Sequence, residues 1–311
     1  MTIAYLIFTH YQPEHFARLV RALSSDRSAF FVHVDRRVDL RPFEALVPPS
    51  RNVVYLRDGE RMRSYWCGFN QIRATLNLLQ SARRFGTEVR RFCLLSGSDF
   101  PVRSHSEIAE RFDSEAEFIR VDRRLDLAKP SPHNVCVQRF HLYDYRLLNP
   151  RTAPSRRLRI AAEGLIARLP RREYSRIPLY HGAQWWALTR GCVEHVVDFL
   201  ERTPDYTRFH RYTRCPEEIF FHSIIKSSRF AENITHDFEN EDSIDAYMRS
   251  NLHGCHYIDW NAVGVSVPKV LGPSDLDAMV ESGALFARKF EGDGSEQLRD
   301  RLEASWRSAG G

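Results

Sequence analysis

Lysine is scarce in this chain of 311 residues, because only four of its 45 lysine and arginine residues are lysines. Most positive charge is carried by guanidinium groups, so each lysine is a candidate for a role that needs an ammonium. A run of about 18 apolar residues, as a membrane-spanning helix requires, is also absent. No cationic segment followed by an apolar stretch precedes the strand-like segment that begins at Thr2. We therefore expect a cytoplasmic protein that is not exported.

Several motifs with defined chemistry are missing too. No GxxxxGK, GxGxxG, GxSxG or HExxH pattern occurs, which excludes phosphate-loop, dinucleotide-binding, esterase and zincin sites of those types. The six cysteines are widely spaced without a CxxC pair, which argues against a disulfide scaffold and predicts reduced, mostly buried thiols. A net charge of +5 favours anionic partners. The arginines are dispersed and no nucleic-acid-reading motif is present, so nucleic acid is not an expected partner.

The segments that are present predict an α/β fold. With 43% hydrophobic residues, the chain can bury a full core as one large domain. Strands are predicted at residues 2–9, 29–34, 53–56 and 92–95, with helices behind Pro13 and at residues 69–82. This alternation predicts a sheet whose ligands gather at the carboxyl ends of its strands.

The character of the chain changes at about residue 123. Arginines cluster, prolines interrupt, and a basic amphipathic helix is predicted at residues 155–169. We interpret residues 123–180 as a basic lobe between a nucleotide-binding half, 1–122, and an acceptor or catalytic half, 181–311. A helix of this kind either lies on an anionic membrane or is a solvated surface helix, and the sequence leaves both open.

Arg288 and Lys289 stand side by side in the apolar segment ALFARKF, just after a predicted helix at 274–282. A compact ammonium beside a planar guanidinium suits a diphosphate. An ordinary amphipathic segment is the alternative.

Pro216 is predicted to begin a helix whose first turn carries Glu217 and Glu218. One of these carboxylates should face the apolar residues that follow, and desolvation raises a carboxylate's basicity, as a general base requires. Acidic residues at a helix start are equally explained by the helix dipole.

Asp99 lies in a Gly-Ser loop after a predicted strand, where a carboxylate can meet a ribose, a sugar hydroxyl or a metal ion. An Asp-x-Asp pair would supply two metal ligands, but a serine stands in place of the first acid. Asp275 and Asp277 are interpreted as a capping and solvated pair. The His-Gly-Cys-His segment at 253–256 is too short for its side chains to converge on one ion. We therefore expect no metal cofactor.

Trp185 and Trp186 lie next to each other on a predicted strand at 183–189, so one should face each side. One is expected in the core, and the other is a candidate wall for stacking a sugar ring. Core packing of both is the alternative.

Taken together, these segments resemble the core-2/I-branching N-acetylglucosaminyltransferase family, which includes the peptide O-xylosyltransferases. The motifs that carry the resemblance are, in order, IAYLIFTH (3–10), FFVHVDRR (30–37), RMRSYWCG (61–68), FCLLSGSDFPVRS (92–104), GAQWWALTR (182–190), PEEIFFHSII (216–225), HYIDW (256–260) and ALFARKF (284–290). The resemblance implies a GT-A-like, Rossmann-type α/β/α sandwich, a UDP-sugar donor, and an inverting transfer that needs no metal.

The resemblance also implies roles for single residues. Glu218 falls on the catalytic base, Asp35 on the aspartate that binds the uridine portion, and Trp66 on a donor-site tryptophan of the xylosyltransferase branch. Arg288 and Lys289 fall on the pair that takes the metal's place at the diphosphate. The predicted contacts with the UDP-sugar are Phe8, Asp35, Trp66, Asp99, Arg288 and Lys289, and those with the acceptor are Gln184, Trp185, Trp186 and Glu217.

Three positions depart from the family pattern. Gln184 replaces the aspartate of animal xylosyltransferases, and Ala183 replaces a common serine. His256 stands where the mammalian branching enzymes have an arginine, a charge that this chain has moved to Arg288. The basic lobe does not align, so the acceptor is unassigned.

The expected function is transfer of a sugar in β linkage, N-acetylglucosamine first and xylose a close second, to a hydroxyl of a glycan or lipid-linked glycan. The alternative is a non-catalytic protein that binds glycan or membrane lipid on the same scaffold. A bacterial cytoplasmic enzyme that builds cell-surface glycans is the expected setting, with peripheral contact at the inner membrane through residues 155–169.

Overall fold

The computed structural model of the chain describes residues 1–239 and 251–309, with side chains as far as residue 306. Its strands are β1 (Thr2–Thr9), β2 (Ser28–Val34), β3 (Val53–Tyr55), β4 (Val89–Ser96), β5 (Phe100–Pro101), β6 (Glu117–Arg124), β7 (Tyr180–Gly182), β8 (Ala187–Thr189), β9 (Ile234–Asp237), β10 (Leu252–His253), β11 (His256–Ile258) and β12 (Phe286–Arg288). Its α-helices are α1 (Pro13–Leu23), α2 (Arg41–Leu46), α3 (Asn70–Phe85), α4 (His105–Phe112), α5 (Pro132–Gln138), α6 (Arg156–Ile166), α7 (Arg190–Arg202), α8 (Pro204–His210), α9 (Phe220–Lys226), α10 (Leu276–Glu281) and α11 (Glu296–Ala309).

A mixed sheet forms the middle of the molecule, in the order β3-β2-β1-β4-β8-β6-β7, with β9 beside β6. Strands β1 to β4 are parallel, whereas β8 is antiparallel to both β4 and β6. Helices cover both faces. Ile3, Tyr5 and Ile7 of β1 pack into a buried cluster with α1, α4 and α11. The intervening Ala4 and Leu6 pack into a second cluster with α3, α7 and α9.

The coverage of both faces explains why β1 is almost continuously apolar rather than alternating. The GT-A-like α/β/α sandwich that the sequence predicts is therefore confirmed.

The crevice beside β1 is the natural ligand site of this fold. Helix α1 connects β1 to β2 on one face, and α3 connects β3 to β4 on the other, so the strand order reverses at β1. Open α/β sheets bind ligands at the carboxyl ends of the strands at such a point. His10, Asp35 and Gly97 follow the ends of β1, β2 and β4. A Cβ at Gly97 would lie 2.4 Å from Oγ1 of Thr9, so only glycine lets the loops pack this closely.

A second, four-stranded sheet in the order β10-β11-β12-β5 places the Arg288-Lys289 segment. Ile258 of β11 is level with Arg288, and Ala287 is paired with Phe100 directly after Asp99. Ala287 is fully buried, as are Phe286 and Phe290. The apolar residues around the two cations thus fasten the segment to the end of β4.

Two predicted elements differ in the structure. The helix predicted from Pro216 is a 3-10 turn, Pro216–Glu218, followed by α9, because Ile219 has a non-helical backbone (φ −133°, ψ −40°). The strand predicted at 183–189 contracts to β8, Ala187–Thr189, so the two tryptophans precede it.

The prediction of six reduced thiols is wrong for one pair, because Cys67 and Cys215 form a disulfide across 148 residues. The backbone N–H of Cys215 also donates to the carbonyl of Cys67 at 3.1 Å. The other four cysteines, Cys93, Cys136, Cys192 and Cys255, are free. Since disulfides are rare in the cytosol of most organisms, the pair is not typical of the cytoplasmic location, which stays a prediction.

The basic lobe contains α5 and α6, and α6 is the helix predicted at 155–169, beginning at the N-cap Ser155. Strands from both sides of the lobe join the central sheet, β6 from before it and β8 from after it. The division at residues 122 and 180 therefore cuts across one sheet, and it stays a prediction. Within residues 1–239 and 251–309, no helix combines the length and apolar character that crossing a bilayer demands.

Candidate active site

Asp99 is fully buried at the end of β4. Its carboxylate accepts hydrogen bonds from the backbone N–H of Ser96 at 2.7 Å, the Ser96 hydroxyl at 2.6 Å and Nε2 of His256 at 3.2 Å. Burial opposes its charge, but Arg288 and His256 outweigh burial and hold the pKa of Asp99 below its usual range. This carboxylate is enclosed and holds His256 and Arg288 in place, and its contact with the UDP-sugar stays a prediction.

Arg288 lies over the Asp99 loop. Its Nη1 is 3.6 Å from Oδ1 of Asp99, its guanidinium carbon is 4.3 Å from the centre of the Trp185 ring, and its side chain is only 15% exposed. Within the part of the chain that the structure describes, Nη1 has no hydrogen-bond partner. Buried donors are nearly always paired, so this one is suited to an acceptor oxygen brought by a ligand.

Lys289 lies at the ends of β1 and β4. Its Nζ is 2.5 Å from Oε1 of Glu291, which also accepts a hydrogen bond from the hydroxyl of Tyr11, just after β1. The backbone N–H of Phe290 donates to the carbonyl of Ser98 at 2.8 Å. Any anion that binds Lys289 must therefore share it with Glu291 or displace that carboxylate.

Asp35 closes the other side of the crevice. Its oxygens accept from the Arg37 side chain at 2.8 and 2.9 Å and from the backbone N–H of Ser64 at 3.0 Å. Burial opposes the charge, but Arg37 outweighs burial and lowers the pKa of Asp35. The charges of Asp35, Arg37 and Lys289 all act on His10, so both sides of the crevice lie near that residue. The uridine contact of Asp35 stays a prediction and requires oxygens that Arg37 now occupies.

Phe8 and Trp66 occupy different surroundings. The Phe8 ring contacts His33 edge-on at 5.3 Å within the sheet. Trp66 is 40% exposed, lies 6.4 Å from the nearly parallel ring of Tyr143, and carries the Arg151 guanidinium 4.3 Å from its centre. Tyr143 and Arg151 belong to the basic lobe, so Trp66 lies at the border of that lobe. The donor contacts of Phe8 and Trp66 stay predictions.

Glu218 is the last of four side chains of alternating charge, Arg120, Asp122, His181 and Glu218, which we call the Glu218 line. Its Oε2 is 3.3 Å from Nε2 of His181, whose Nδ1 is 3.4 Å from Oδ2 of Asp122, and Asp122 accepts from Nε of Arg120 at 2.6 Å. Burial disfavours the imidazolium, but Asp122 and Glu218 outweigh burial and raise the pKa of His181 to about 9. The Glu218 side chain is 42% exposed. It is thus a carboxylate held by a charged histidine and open to a substrate.

Glu217 has the opposite environment. It is 8% exposed, within 4.8 Å of the disulfide sulfurs of Cys67 and Cys215, and its Oε2 has no partner among the described residues. Burial, with a smaller contribution from the Glu218 charge, raises the pKa of Glu217 to about 8. The desolvated carboxyl that the sequence predicts is therefore Glu217, and its contact with an acceptor stays a prediction.

Trp185 and Trp186 have different surroundings, as the sequence predicts, but neither ring is exposed as a wall for stacking a sugar. Trp186 is fully buried and packs against Phe221, and its contact with a sugar stays a prediction. Trp185 is 7% exposed, and its ring supports Arg288. Gln184 is half-buried in the loop between β7 and β8, and its acceptor contact stays a prediction.

Sequence reasoning missed three functional candidates: His181, Asp122 and Glu291. A signal was available only for His181, which directly precedes the GAQWW motif. Residues 120 and 122 share one face of β6, and Nη1 of Arg120 donates to the Leu252 carbonyl of the second sheet at 2.9 Å. Strand β6 therefore connects the Glu218 line to the sheet that carries Arg288.

Comparison with known proteins identifies the family. The family model described as Core-2/I-Branching enzyme matches residues 3–280, and the chain belongs to that family. It is 24% identical over 301 residues to the human probable beta-1,3-galactosyl-O-glycosyl-glycoprotein beta-1,6-N-acetylglucosaminyltransferase 7, covering 93% of this chain and 64% of the relative. It is 25% identical over 318 residues to human xylosyltransferase 2, covering 97% of this chain but 33% of the relative. The chain thus spans less than two thirds of either relative. A solved structure of mouse xyloside xylosyltransferase 1 is more distant, with 13% identity, a TM-score of 0.34, and coverage of 76% of this chain and 84% of that one.

Proposed function

We propose that the protein is a glycosyltransferase that moves a sugar from a UDP-sugar to a hydroxyl of a glycan acceptor, with inversion and without a metal. Glu218 removes the proton from the acceptor hydroxyl. The freed oxygen attacks the anomeric carbon from the side opposite UDP, the bond from that carbon to the diphosphate breaks, and the electron pair leaves with UDP.

The Glu218 line supports the base assignment. A general base must reach the substrate, and Glu218 does so with a 42% exposed side chain, whereas Glu217 is enclosed. His181 holds one oxygen of Glu218, and no described residue bonds the other, which leaves it for the acceptor hydroxyl. The disulfide joins this turn to the loop after Trp66, which keeps the predicted donor-site tryptophan close to the base.

The observation that carries the proposal is the nearly buried Nη1 of Arg288 beside Lys289. This nitrogen is 3.6 Å from Oδ1 of Asp99 but has no hydrogen-bond partner among the described residues. Developing charge on a leaving diphosphate needs fixed donors, and such donors commonly contribute about 3–4 kcal/mol each.

N-acetylglucosamine is our first choice for the donor sugar and xylose a close second, because relatives named for both transfers match nearly the whole chain. A thermal-shift panel of UDP-sugars separates them, since a ligand that binds only the folded state raises the melting temperature. The non-catalytic alternative has less support, because an exposed carboxylate held by a charged histidine serves no evident purpose in a binding protein.

The experiment is UDP release from the preferred donor in excess EDTA, with Lys289→Ala compared with Lys129→Ala, an exposed lysine of the basic lobe. We expect full wild-type turnover in EDTA, unchanged turnover in Lys129→Ala, and a loss of about 10²–10³ in kcat for Lys289→Ala. Turnover that disappears in EDTA and returns with Mn²⁺ would refute the metal-independent mechanism.

A further inference from the structure

The outer face of α6 is the most exposed apolar surface on a helix of the basic lobe. Leu158 is 73% exposed and Leu165 is 66% exposed, and the helix buries none of its residues. Leu158, Ala161 and Leu165 are three and four residues apart, so they form one ridge along the helix. Arg139 fastens the end of the helix by donating to the Ala167 carbonyl at 2.7 Å, and Arg159 is paired to Glu163 at 2.5 Å inside the helix.

The surroundings of this ridge are strongly cationic. Residues 145–171 contain seven arginines and a single acidic residue, Glu163, which Arg159 already neutralises. Arg156, Arg157 and Arg168 are exposed next to the leucines. Two further leucines of the lobe outside the helix are exposed as well, Leu147 at 65% and Leu169 at 47%.

We propose that this face of α6 docks on an anionic lipid surface. The leucine ridge enters the boundary between headgroups and acyl chains, while the arginines pair with lipid phosphates. The positive charge around the ridge indicates that the lipid surface is anionic, because unneutralised guanidinium groups attract anionic headgroups. The same charge repels a second copy of this face. The exposed leucines favour lipid over nucleic acid, which offers them no apolar partner.

Docking through α6 would bring the lipid surface close to Trp66. Tyr143, which stacks on Trp66, feels the charges of both Glu163 and Arg159, so α6 lies beside the border where Trp66 is found. An acceptor anchored in the lipid would therefore be presented at that border. This consequence rests on the proposed function, whereas binding to the lipid surface does not.

The test is flotation of the whole protein with phosphatidylcholine vesicles, with and without phosphatidylglycerol. We expect the wild type to float only with the anionic vesicles, less so at high salt. Leu158→Asp/Leu165→Asp should lower the bound fraction at least about tenfold, because each substitution removes the favourable free energy of burying a leucine side chain in the lipid. Leu46→Asp, at a 47% exposed leucine on α2, is the matched control and should float like the wild type.

The charge requirement is tested separately. Arg156→Gln/Arg157→Gln/Arg168→Gln should lose flotation, whereas Arg51→Gln/Arg90→Gln, at exposed arginines outside the lobe, should keep it. Because α6 buries no residue and the control positions are exposed, the variants should retain the wild-type melting temperature and UDP release, so loss of flotation is not loss of folding or of activity.

Three results would overturn the proposal. The first is a wild type that does not float with anionic vesicles. The second is a double aspartate variant that floats as well as the wild type. The third is a lipid-free wild-type dimer that the double aspartate variant loses, which would identify a second copy as the occupant.

Discussion

The adjacent residues Glu217 and Glu218 should respond in opposite ways to the same substitution. Glu217 is enclosed and its pKa is raised from 4.5 to about 8, so the folded protein keeps a proton that the unfolded chain releases above about pH 4.5. The folded state is therefore favoured at low pH, and its stability falls as the pH rises from about 4.5 to 8. Ionisation of Glu217 therefore lowers the free energy of unfolding at pH 7 by at most about 3 kcal/mol.

Glu217→Gln should remove this loss of stability at high pH, because glutamine carries no proton to release. We expect its free energy of unfolding to match the wild type at pH 4 and to exceed it by about 1–3 kcal/mol at pH 8, with turnover retained. Glu218→Gln should do the reverse. Its side chain is 42% exposed, so stability should change little, while loss of the base should lower kcat by about 10²–10⁴.

The assays are urea unfolding at the two pH values and UDP release under saturating donor. The reasoning would be refuted if Glu217→Gln lost turnover while Glu218→Gln kept it, since the enclosed carboxyl would then be the base. A Glu217→Gln protein less stable than the wild type at pH 8 would contradict the ionisation argument itself.

His181→Gln should lower kcat but leave the donor's KM unchanged, because His181 holds Glu218 and does not meet the donor. We also expect wild-type activity to fall near pH 9, where the His181 imidazolium loses its proton, and this fall should flatten in the variant. Glu291→Gln should strengthen UDP binding in calorimetry, because it frees Lys289 from a competing carboxylate, and weaker binding would show that Glu291 orients the ammonium instead. Opening the long-range disulfide with Cys67→Ala should cost about 2–5 kcal/mol of stability in urea unfolding, and a variant as stable as the wild type would contradict its bracing role.

The sequence carries enough information for the layers of the fold and for one side of the site. The apolar run at 2–9 predicts a strand covered on both faces, and the structure gives it two clusters of helices. The prediction that Arg288 and Lys289 matter rests on the rarity of lysine, and their apolar neighbours turn out to be the residues that fasten them beside Asp99.

The remaining features of the site depend on contacts between distant parts of the chain, which the local sequence pattern does not encode. Which of Glu217 and Glu218 is enclosed follows from a 3-10 turn that breaks before α9, whereas the sequence predicts one continuous helix. The disulfide unites cysteines 148 residues apart, and spacing alone gives no sign of it. His181 acquires its charge only because β6 and the turn at Glu218 place a carboxylate on each side of its ring.

The central claim is that Arg288 and Lys289 take the place of a metal ion at the diphosphate. Calorimetric titration of UDP and of UMP in excess EDTA, into the wild type and Lys289→Ala, tests it most directly. The account predicts that the wild type binds UDP much more tightly than UMP without metal, and that Lys289→Ala removes this difference while binding UMP as before. UDP binding that requires Mn²⁺, or that Lys289→Ala leaves unchanged, would contradict it.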